Sequence, residues 1–452
     1  MTNTPDRAIT SQRVVTPEGV RAAAVLIKGE KILNVIPIEN TPETCPIDDM
    51  ENNVIMPGLV DIHVHINEPG RTDWEGNETA TKAAGSGGIT TIVDMPLNCI
   101  PVTTNVNAFK IKLKSTYNKL WVDCGFYGGL IPENLDEMKP LVKSGVLGFK
   151  AFMSHSGIDE FPKVSETDLR NALSILTSYD LPLLVHAELE DHSNHDKDLH
   201  TYESYMATRP KSWENNAIKL LIELCKEYQT PIHIVHLSSS EALDDIARAR
   251  KEGLPISAET CPHYLHFTSE KITDGDTRFK CAPPIRDEEN KKQLWEGLIS
   301  GTIDFITSDH SPCLPELKKL SEGKFDLAWG GISSLQFSLS VIWTECIDQG
   351  LSFDQLANWM SNNPAKFVGI DHCKGQISAG YDADLVCWNP DESFVVEPNI
   401  INFKNKITPY EGEKLFGIVK RTYLRGNTIF DRGQFMNGPL GKTILNSDAE
   451  KN

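Results

Sequence analysis

The sequence predicts an α/β protein: a (β/α)8 TIM barrel with a small β-sandwich domain formed by the N- and C-terminal segments. Two observations lead to this fold class. Between about residues 57 and 310, short apolar runs alternate with longer amphipathic stretches, as strands and helices do in a barrel. Polar residues also cluster at the carboxyl ends of several runs, which favours a closed barrel over an open doubly wound sheet.

The first 55 residues have the sequence pattern of short strands. Ala23–Lys28 and Lys31–Ile38 are apolar runs on either side of a Gly-Glu turn, which predicts a β-hairpin. The Met-Pro-Gly sequence at 56–58 interrupts this strand-like pattern. We therefore assign residues 1–56 to the N-terminal part of the β domain.

Eight apolar runs are expected to form the barrel, which we assign to residues 57–370. They are Leu59–His63, Ile89–Asp94, Trp121–Phe126, Val146–Phe152, Leu181–His186, Pro231–His236, Pro255–Glu259 and Asp304–Thr307. Amphipathic stretches predicted as helices include Ser165–Tyr179, Glu214–Glu227 and Ser240–Lys251, and two further helices are expected at Trp329–Gly350 and Phe353–Met360.

A strand-like sequence pattern appears again after residue 375. Short runs at Asp384–Trp388, Phe394–Val396 and Val419–Leu424 follow a turn at residues 380–384. Because both ends of the chain are rich in strands, we expect them to pair into one domain beside the barrel. Residues 371–452 are therefore assigned to its C-terminal part and a polar tail.

Composition excludes several classes of function. The 452 residues carry a net charge of −19, and an acidic surface repels phosphate backbones and anionic lipids, so we expect neither nucleic acid nor membrane as a partner. No segment approaches the roughly 18 apolar residues of a membrane helix. The ten cysteines include no CxxC pair, which argues against a disulfide scaffold. The last three residues are not an SKL address, so we expect a cytoplasmic enzyme, with an organelle left open.

Histidines at strand ends are the first sign of chemistry. His63 and His65 are two apart on a strand, so their side chains share a face. Alone, such a pair either chelates a cation or is two ordinary polar residues. His186, His236 and Asp309 end the fifth, sixth and eighth predicted strands. Imidazole nitrogens and a carboxylate suit zinc, and also cobalt, manganese or iron, so the set predicts a metal centre.

Lys150 ends the fourth predicted strand, between Phe149 and Phe152. A buried ammonium there is costly. Either the stem lies along apolar surface with its charge in water, or the neutral amine adds carbon dioxide to form a carbamate. The two carbamate oxygens would be able to bridge two cations. The spacing of the residues leaves both alternatives open.

The motifs at five strand ends resemble those of the cyclic amidohydrolases of the amidohydrolase superfamily, and the resemblance runs from about residue 24 to 424. The motifs are VDIHVH (60–65), GFKAFM (148–153), LLVHAE (183–188), HIVHLSS (233–239) and TSDHSP (307–312). Finer motifs resemble the allantoinases within that group. They are HINEPGRTDWE (65–75), DMPLN (94–98), TTN (103–105), SGIDEFP (156–162), ETCPHY (259–264), KCAPPIR (280–286) and AWGGI (328–332). This resemblance implies hydrolysis of the hydantoin ring of allantoin to allantoate in purine breakdown.

The resemblance also implies two divalent metals, commonly zinc. His63, His65 and Asp309 would bind the first and His186 with His236 the second, while a carbamate on Lys150 would bridge them. His233 is the rival of His236, but its odd spacing turns it to the opposite face of the strand. We prefer His236 because it ends the strand in the HLSS motif.

Roles in catalysis and substrate binding are less strongly indicated. Asp309 is expected to carry a proton besides binding metal, and the alternative is that it is only a ligand. His155 stands where related hydantoin-ring hydrolases carry a tyrosine, and it either donates the replacement hydrogen bond or faces solvent. Glycines and prolines favour two further segments as substrate contacts, although the same residues also make ordinary turns. These contacts are Cys281, Ala282, Pro283, Gly330 and Gly331.

Three alternatives share parts of the pattern. A dihydroorotase needs an arginine two residues after the second His of HxH, and Asn67 stands there. A dihydropyrimidinase or hydantoinase is the nearer rival, and His155 in place of its tyrosine argues against it. Non-catalytic scaffold relatives have lost their ligands, whereas all six positions are intact here. The resemblance further implies a homo-oligomer, often a tetramer.

Overall fold

The computed structural model describes residues 4–190 and 199–446, so residues 447–452 of the predicted tail lie outside the described residues. The strands are β1 (Arg7–Thr16), β2 (Gly19–Lys28), β3 (Lys31–Pro37), β4 (Ile47–Asp49), β5 (Val54–Pro57), β6 (Leu59–Val64), β7 (Ile89–Asp94), β8 (Asp123–Phe126), β9 (Gly128–Gly129), β10 (Phe149–Phe152), β11 (Leu183–His186), β12 (Ile232–Ile234), β13 (Ile256–Thr260), β14 (Phe305–Ile306), β15 (Leu385–Val395), β16 (Lys414–Leu424), β17 (Asn427–Asp431) and β18 (Gln434–Phe435).

The α-helices alternate with the strands through the middle of the chain. They are α1 (Asn77–Ser86), α2 (Val106–Ser115), α3 (Leu135–Ser144), α4 (Glu166–Leu176), α5 (Tyr202–Ala207), α6 (Lys211–Tyr228), α7 (Leu243–Lys251), α8 (Pro262–His266), α9 (Glu288–Ile299), α10 (Ser338–Gln349), α11 (Phe353–Ala357) and α12 (Asn363–Phe367). None of the helices in the described ranges combines the length and apolarity needed to cross a bilayer.

The predicted barrel is confirmed. Strands β6, β7 and β8 form one parallel sheet, and β9 to β14 form a second in sequence order. The two sheets join because β8 and β9 are halves of one strand, and the Leu147 amide donates to the Phe126 carbonyl (2.9 Å). A parallel bridge between Val64 and His310 joins the ends of the first and last strands. The carboxyl ends of all eight strands therefore meet at one mouth.

The strands at the two ends of the chain pair, as predicted. They form a nine-stranded sheet in the order β18-β17-β16-β15-β5-β1-β2-β3, with β4 beside β1. The junction is the antiparallel pair of β5 with β15. Met56 and Trp388 from this junction belong to the same apolar core as the barrel. The division at residues 56 and 370 therefore stays a prediction, because the two parts are packed together.

Buried charges tie the C-terminal segment to the barrel. The ammonium of Lys374 donates to Asp123 (2.8 Å), at the start of β8, and to Asp384 (2.6 Å), next to β15. Arg425 donates to the same Asp123 carboxylate (2.6 Å). Such a cluster keeps its buried charges paired, and removing one partner would leave the others uncompensated.

The helix predicted at Trp329–Gly350 is too long at its N-terminal end, because α10 begins only at Ser338. Residues 329–334 form a loop whose Trp329 (3.2 Å) and Gly331 carbonyls accept hydrogen bonds from the buried ammonium of Lys318. Gly331 has φ = 143°, a conformation that favours glycine and does not continue a helix. The helix predicted at Phe353–Met360 is present as α11 followed by a π-helical turn (Asn358–Asn362), and the chain continues beyond it as α12.

We expect Ser165→Ala to lower the free energy of unfolding by about 1 kcal/mol. Ser165 caps α4, the helix between the strands that carry Lys150 and His186, and forms a reciprocal capping box with Asp168. The measurement is urea unfolding followed by circular dichroism. Ser174→Ala is the matched control, because Ser174 is an exposed interior residue of the same helix and its change should cost nothing. Equal midpoints for the two variants would contradict the capping role.

Candidate metal centre

A cavity of about 410 Å³ opens at the mouth of the barrel. All six side chains predicted as metal ligands line it, although they come from segments far apart in the chain: His63, His65, Lys150, His186, His236 and Asp309. Parallel strands bring their carboxyl ends together, so distant segments converge here.

Three of these residues form a cluster that fits one cation. Nε2 of His63 lies 3.3 Å from Oδ1 of Asp309, and Nε2 of His65 lies 3.5 Å from the same oxygen. One possible ligand atom from each residue lies within 4.8 Å of the other two. Two imidazoles and a carboxylate at this spacing are a suitable donor set for a divalent cation.

The second pair is His186 and His236, with Nδ1 of one 3.0 Å from Nε2 of the other. Their ring planes are inclined at 72°, and the short distance places one possible ligand atom of each residue side by side. Burial is the main cause that lowers the pKa of each histidine, and a neutral imidazole is the form that binds metal. His233 does not take this place. Its Nδ1 lies 2.7 Å from Ser257 Oγ and its Nε2 donates to Glu259 (3.1 Å).

Backbone turns aim two of the ligands. His236 and Asp309 lie just beyond β12 and β14 and have φ values of 40° and 43°. Left-handed backbone is uncommon for such residues and is concentrated at functional sites. Asp61 links the two sides of the mouth, because its carboxylate accepts the amides of His63 (3.2 Å) and Ser308 (3.1 Å). Burial raises the pKa of Asp61 to about 6.

Carboxylates behind the histidines orient them. Nδ1 of His63 donates to Glu259, and Nε2 of His186 donates to Glu188 (2.7 Å). The Asn98 amide lies 3.3 Å from Nδ1 of His65. Such partners fix the tautomer of a ligating histidine. Sequence reasoning gave these three residues no role. For the two glutamates the signal was an acidic residue at or just after a strand end, whereas no such signal in the sequence marks the Asn98 amide.

Lys150 is fully buried, and its Nζ has no hydrogen-bond partner among the described residues. It lies 4.9 Å from the ring centroid of Phe152. Burial lowers the pKa of its ammonium to about 8. An unpartnered buried amine that readily loses its proton fits the carbamate alternative, since only a neutral amine reacts with carbon dioxide. The donor set as a whole therefore fits two cations joined by a modified lysine.

All but one of the residues predicted to contact substrate line the cavity. Cys281, Ala282, Gly330 and Gly331 line the cavity, and so does His155, whose side chain is 59% exposed. Nδ1 of His155 accepts the amide of Gly157 (3.0 Å). Pro283 is not part of the lining, and its carbonyl accepts from Tyr264 Oη (2.7 Å).

Glu259→Gln is expected to weaken metal binding about 10- to 100-fold, because His63 loses the acceptor that fixes its tautomer. The measurement is a competition titration with a chromogenic chelator. Glu345→Gln is the matched control, since Glu345 accepts from His266 (2.7 Å) in a pair outside the cavity lining. Unchanged affinity in Glu259→Gln would show that His63 needs no orienting partner.

Proteins of similar sequence carry the name allantoinase. The chain is 44% identical to "Allantoinase" of Arabidopsis thaliana over 97% of this chain and 90% of that protein. It is 43% identical to "Allantoinase" of Saccharomyces cerevisiae, over 98% and 99%. "Probable allantoinase 2" of Dictyostelium discoideum is 46% identical, over 94% and 90%.

Solved structures share the whole fold. "L-Hydantoinase (Dihydropyrimidinase) from Arthrobacter aurescens" superposes with a TM-score of 0.91 at 29% identity, covering 98% of this chain and 100% of that one. Dihydropyrimidinase from Brevibacillus agri superposes with a TM-score of 0.89 at 26% identity, covering 98% and 100%. The family model of the amidohydrolases matches residues 54–429, and membership of this family implies metal binding. This chain therefore belongs to the amidohydrolase family, and the three sequence relatives named above, at 43–46% identity, carry the name allantoinase or probable allantoinase.

Proposed function

We propose that this protein is an allantoinase, an enzyme that hydrolyses the cyclic amide of allantoin to allantoate in purine catabolism. The observation that carries the proposal is the convergence on one cavity of the six side chains predicted as metal ligands. The choice of allantoin as substrate comes from the names of relatives at 43–46% identity over nearly the full chain. Allantoin is a small neutral molecule, and a cavity of about 410 Å³ has room for it.

Two divalent cations, with Zn²⁺ as the first choice, would be held by these residues. His63, His65 and Asp309 would bind one, and His186 and His236 the other, while Lys150 would bridge them as a carbamate. To form it, the Lys150 amine attacks carbon dioxide, an N–C bond forms, and the nitrogen loses a proton. Bound cations would lower the pKa of a shared water towards neutrality and polarise the scissile carbonyl.

Asp309 is the proposed proton carrier. Its carboxylate lines the cavity, and Oδ1 accepts from Ser311 Oγ (3.0 Å). Water oxygen adds to the ring carbonyl carbon while its proton passes to the Asp309 carboxylate. Asp309 then delivers this proton to the ring nitrogen as the C–N bond breaks, which leaves a carboxylic acid and a free ureido nitrogen, and the acid releases the second water proton to solvent to become the carboxylate.

Substrate contacts are proposed from the lining of the cavity. The segments at Cys281–Ala282 and Gly330–Gly331 line the cavity, and their backbone amides and carbonyls would suit a ring of amide and urea groups. Pro283 would act by shaping the first segment. His155 would donate a hydrogen bond to the substrate if its ring turns inwards from its exposed position.

Assembly and compartment are proposed with the function. A homo-oligomer, namely a tetramer, is expected from the family resemblance, and the cytoplasm is the proposed location. Size-exclusion chromatography with light scattering would test the first of these.

A dihydropyrimidinase or hydantoinase is the second candidate, because the superposed solved structures bear those names. The test is a side-by-side assay of allantoin, hydantoin, dihydrouracil and dihydroorotate with zinc-loaded enzyme. We expect the highest kcat/KM for allantoin and no turnover of dihydroorotate. A higher kcat/KM for dihydrouracil or hydantoin would replace the proposal with the second candidate, and no turnover with metal bound would refute both.

A further inference from the structure

One wall of the cavity contains polar groups that are not part of the metal centre. It is formed by Tyr205, Thr208, Arg209, Lys280, Phe325 and Asp326. The rings of Tyr205 and Phe325 stack with centroids 5.3 Å apart, so this wall also has a rigid aromatic part. A ligand held at the cations would meet this wall with the part of the molecule that does not react.

Arg209 joins this wall to the metal centre through a single carboxylate oxygen. Its Nη1 donates to Oε2 of Glu188, and the same oxygen accepts from Nε2 of His186 (2.7 Å). The other ring nitrogen of His186 faces His236. The guanidinium is therefore separated from the second proposed cation site by one carboxylate and one imidazole.

Most of the hydrogen-bonding capacity of Arg209 is unused. A guanidinium has five N–H donors, and the bond to Glu188 is the one side-chain hydrogen bond recorded for it among residues 4–190 and 199–446. Its side chain is 19% exposed and lines the cavity. The remaining donors are thus available to a ligand in the cavity.

The charge of Arg209 is already balanced by Glu188, which is fully buried. A guanidinium paired in this way offers directed N–H donors without a net charge. Such a group suits the oxygen of a neutral carbonyl better than an anion, which would also meet the Glu188 carboxylate. In allantoin, the exocyclic ureido group provides a neutral carbonyl outside the reacting ring.

We propose that Arg209 determines specificity by donating hydrogen bonds to the carbonyl oxygen of the exocyclic ureido group. The inference rests on the proposed allantoinase activity and adds the residue that distinguishes allantoin from plain hydantoin. Glu188 has two roles in this arrangement, because it orients both the metal-binding His186 and the substrate-binding Arg209.

The test compares allantoin with hydantoin, which lacks the ureido group, in wild type and Arg209→Lys. The variant keeps a cation beside Glu188 and loses the planar fork of donors. We expect kcat/KM for allantoin to fall about 10- to 100-fold, since hydrogen bonds from a charged donor are lost. The Ki of hydantoin, measured by competition so that its turnover is not required, should stay within about twofold, and the zinc content should equal that of wild type.

Arg71→Lys is the matched control, because Arg71 pairs with Glu160 (3.2 Å) outside the cavity lining. Arg71→Lys should leave kcat/KM for allantoin and the Ki of hydantoin unchanged. Equal losses for allantoin and hydantoin in Arg209→Lys would mean that Arg209 acts only through His186, and no loss would mean that it makes no contact. Either result overturns the inference.

A second variant covers the case in which Arg209→Lys does not fold. The double change Glu188→Gln with Arg209→Gln removes both charges together, so that no buried carboxylate is left unpaired. The readout is again the fold-change in kcat/KM for allantoin compared with the fold-change in the Ki of hydantoin. Failure of the wild type to hydrolyse allantoin would refute the proposed function, whereas equal fold-changes in an active wild-type background would refute only the role of Arg209.

Discussion

Asp309→Asn is expected to lower kcat for allantoin about 10²- to 10⁴-fold while most of the metal stays bound. Burial favours the protonated acid, but the charge of His63 and a hydrogen bond from His65 hold the pKa of Asp309 well below its usual value. The carboxylate is therefore ionised, which is the form that can bind a cation and receive a proton from water. An asparagine oxygen can still act as a ligand, but it cannot carry a proton from water to the leaving nitrogen.

Asp304→Asn is the control for this prediction, because Asp304 lies at the start of the same strand and binds Arg250 away from the cavity. It should retain wild-type kcat. Zinc content is measured for both variants by atomic absorption. Wild-type turnover in Asp309→Asn would remove Asp309 as the base, and parallel loss of zinc and activity would show that it is only a ligand.

The sequence was sufficient to predict the barrel and the meeting of distant ligands. The reason is topological, since in a parallel barrel every strand ends at the same mouth. A residue at the end of a predicted strand is therefore placed near its counterparts without knowledge of any loop. This explains why His63, His186 and Asp309 line one cavity although they are separated by more than a hundred residues.

Features that depend on loops and on neighbouring strands were beyond prediction. The left-handed turns at His236 and Asp309 are set by contacts around them, not by a glycine in the sequence. The pairing of His63 with Glu259 depends on how a side chain from β13 reaches across the barrel. Residues 329–334 were predicted as part of a helix. Their sequence pattern does not show that the Lys318 ammonium binds their backbone carbonyls and holds them in a loop. These features are decided by tertiary contacts.

Lys150→Ala is expected to lower kcat/KM about 10³-fold or more, because the loss of the proposed bridging ligand would remove several kcal/mol of stabilisation from the proposed two-cation centre. The reason lies in the environment of the amine. Burial lowers the pKa of Lys150 to about 8, and no described residue accepts a hydrogen bond from Nζ. A native ammonium in that place would be a buried charge without a partner, which is a costly arrangement. A carbamate would replace the ammonium with an anionic ligand, whose charge the bound cations would balance.

Carbon dioxide itself supplies the sharper form of this test. Metal-free protein reloaded with zinc in buffer stripped of carbon dioxide should regain little activity, and added bicarbonate should restore it in the wild type but not in Lys150→Ala. Protein reloaded with ¹³C-bicarbonate should show a carbamate carbon by NMR. Lys150→Arg is the matched variant, since a guanidinium keeps the charge but stays protonated and forms no carbamate. Wild-type turnover in Lys150→Arg would mean that the side chain fills its pocket without bridging, because an arginine there can supply no anionic ligand to either cation.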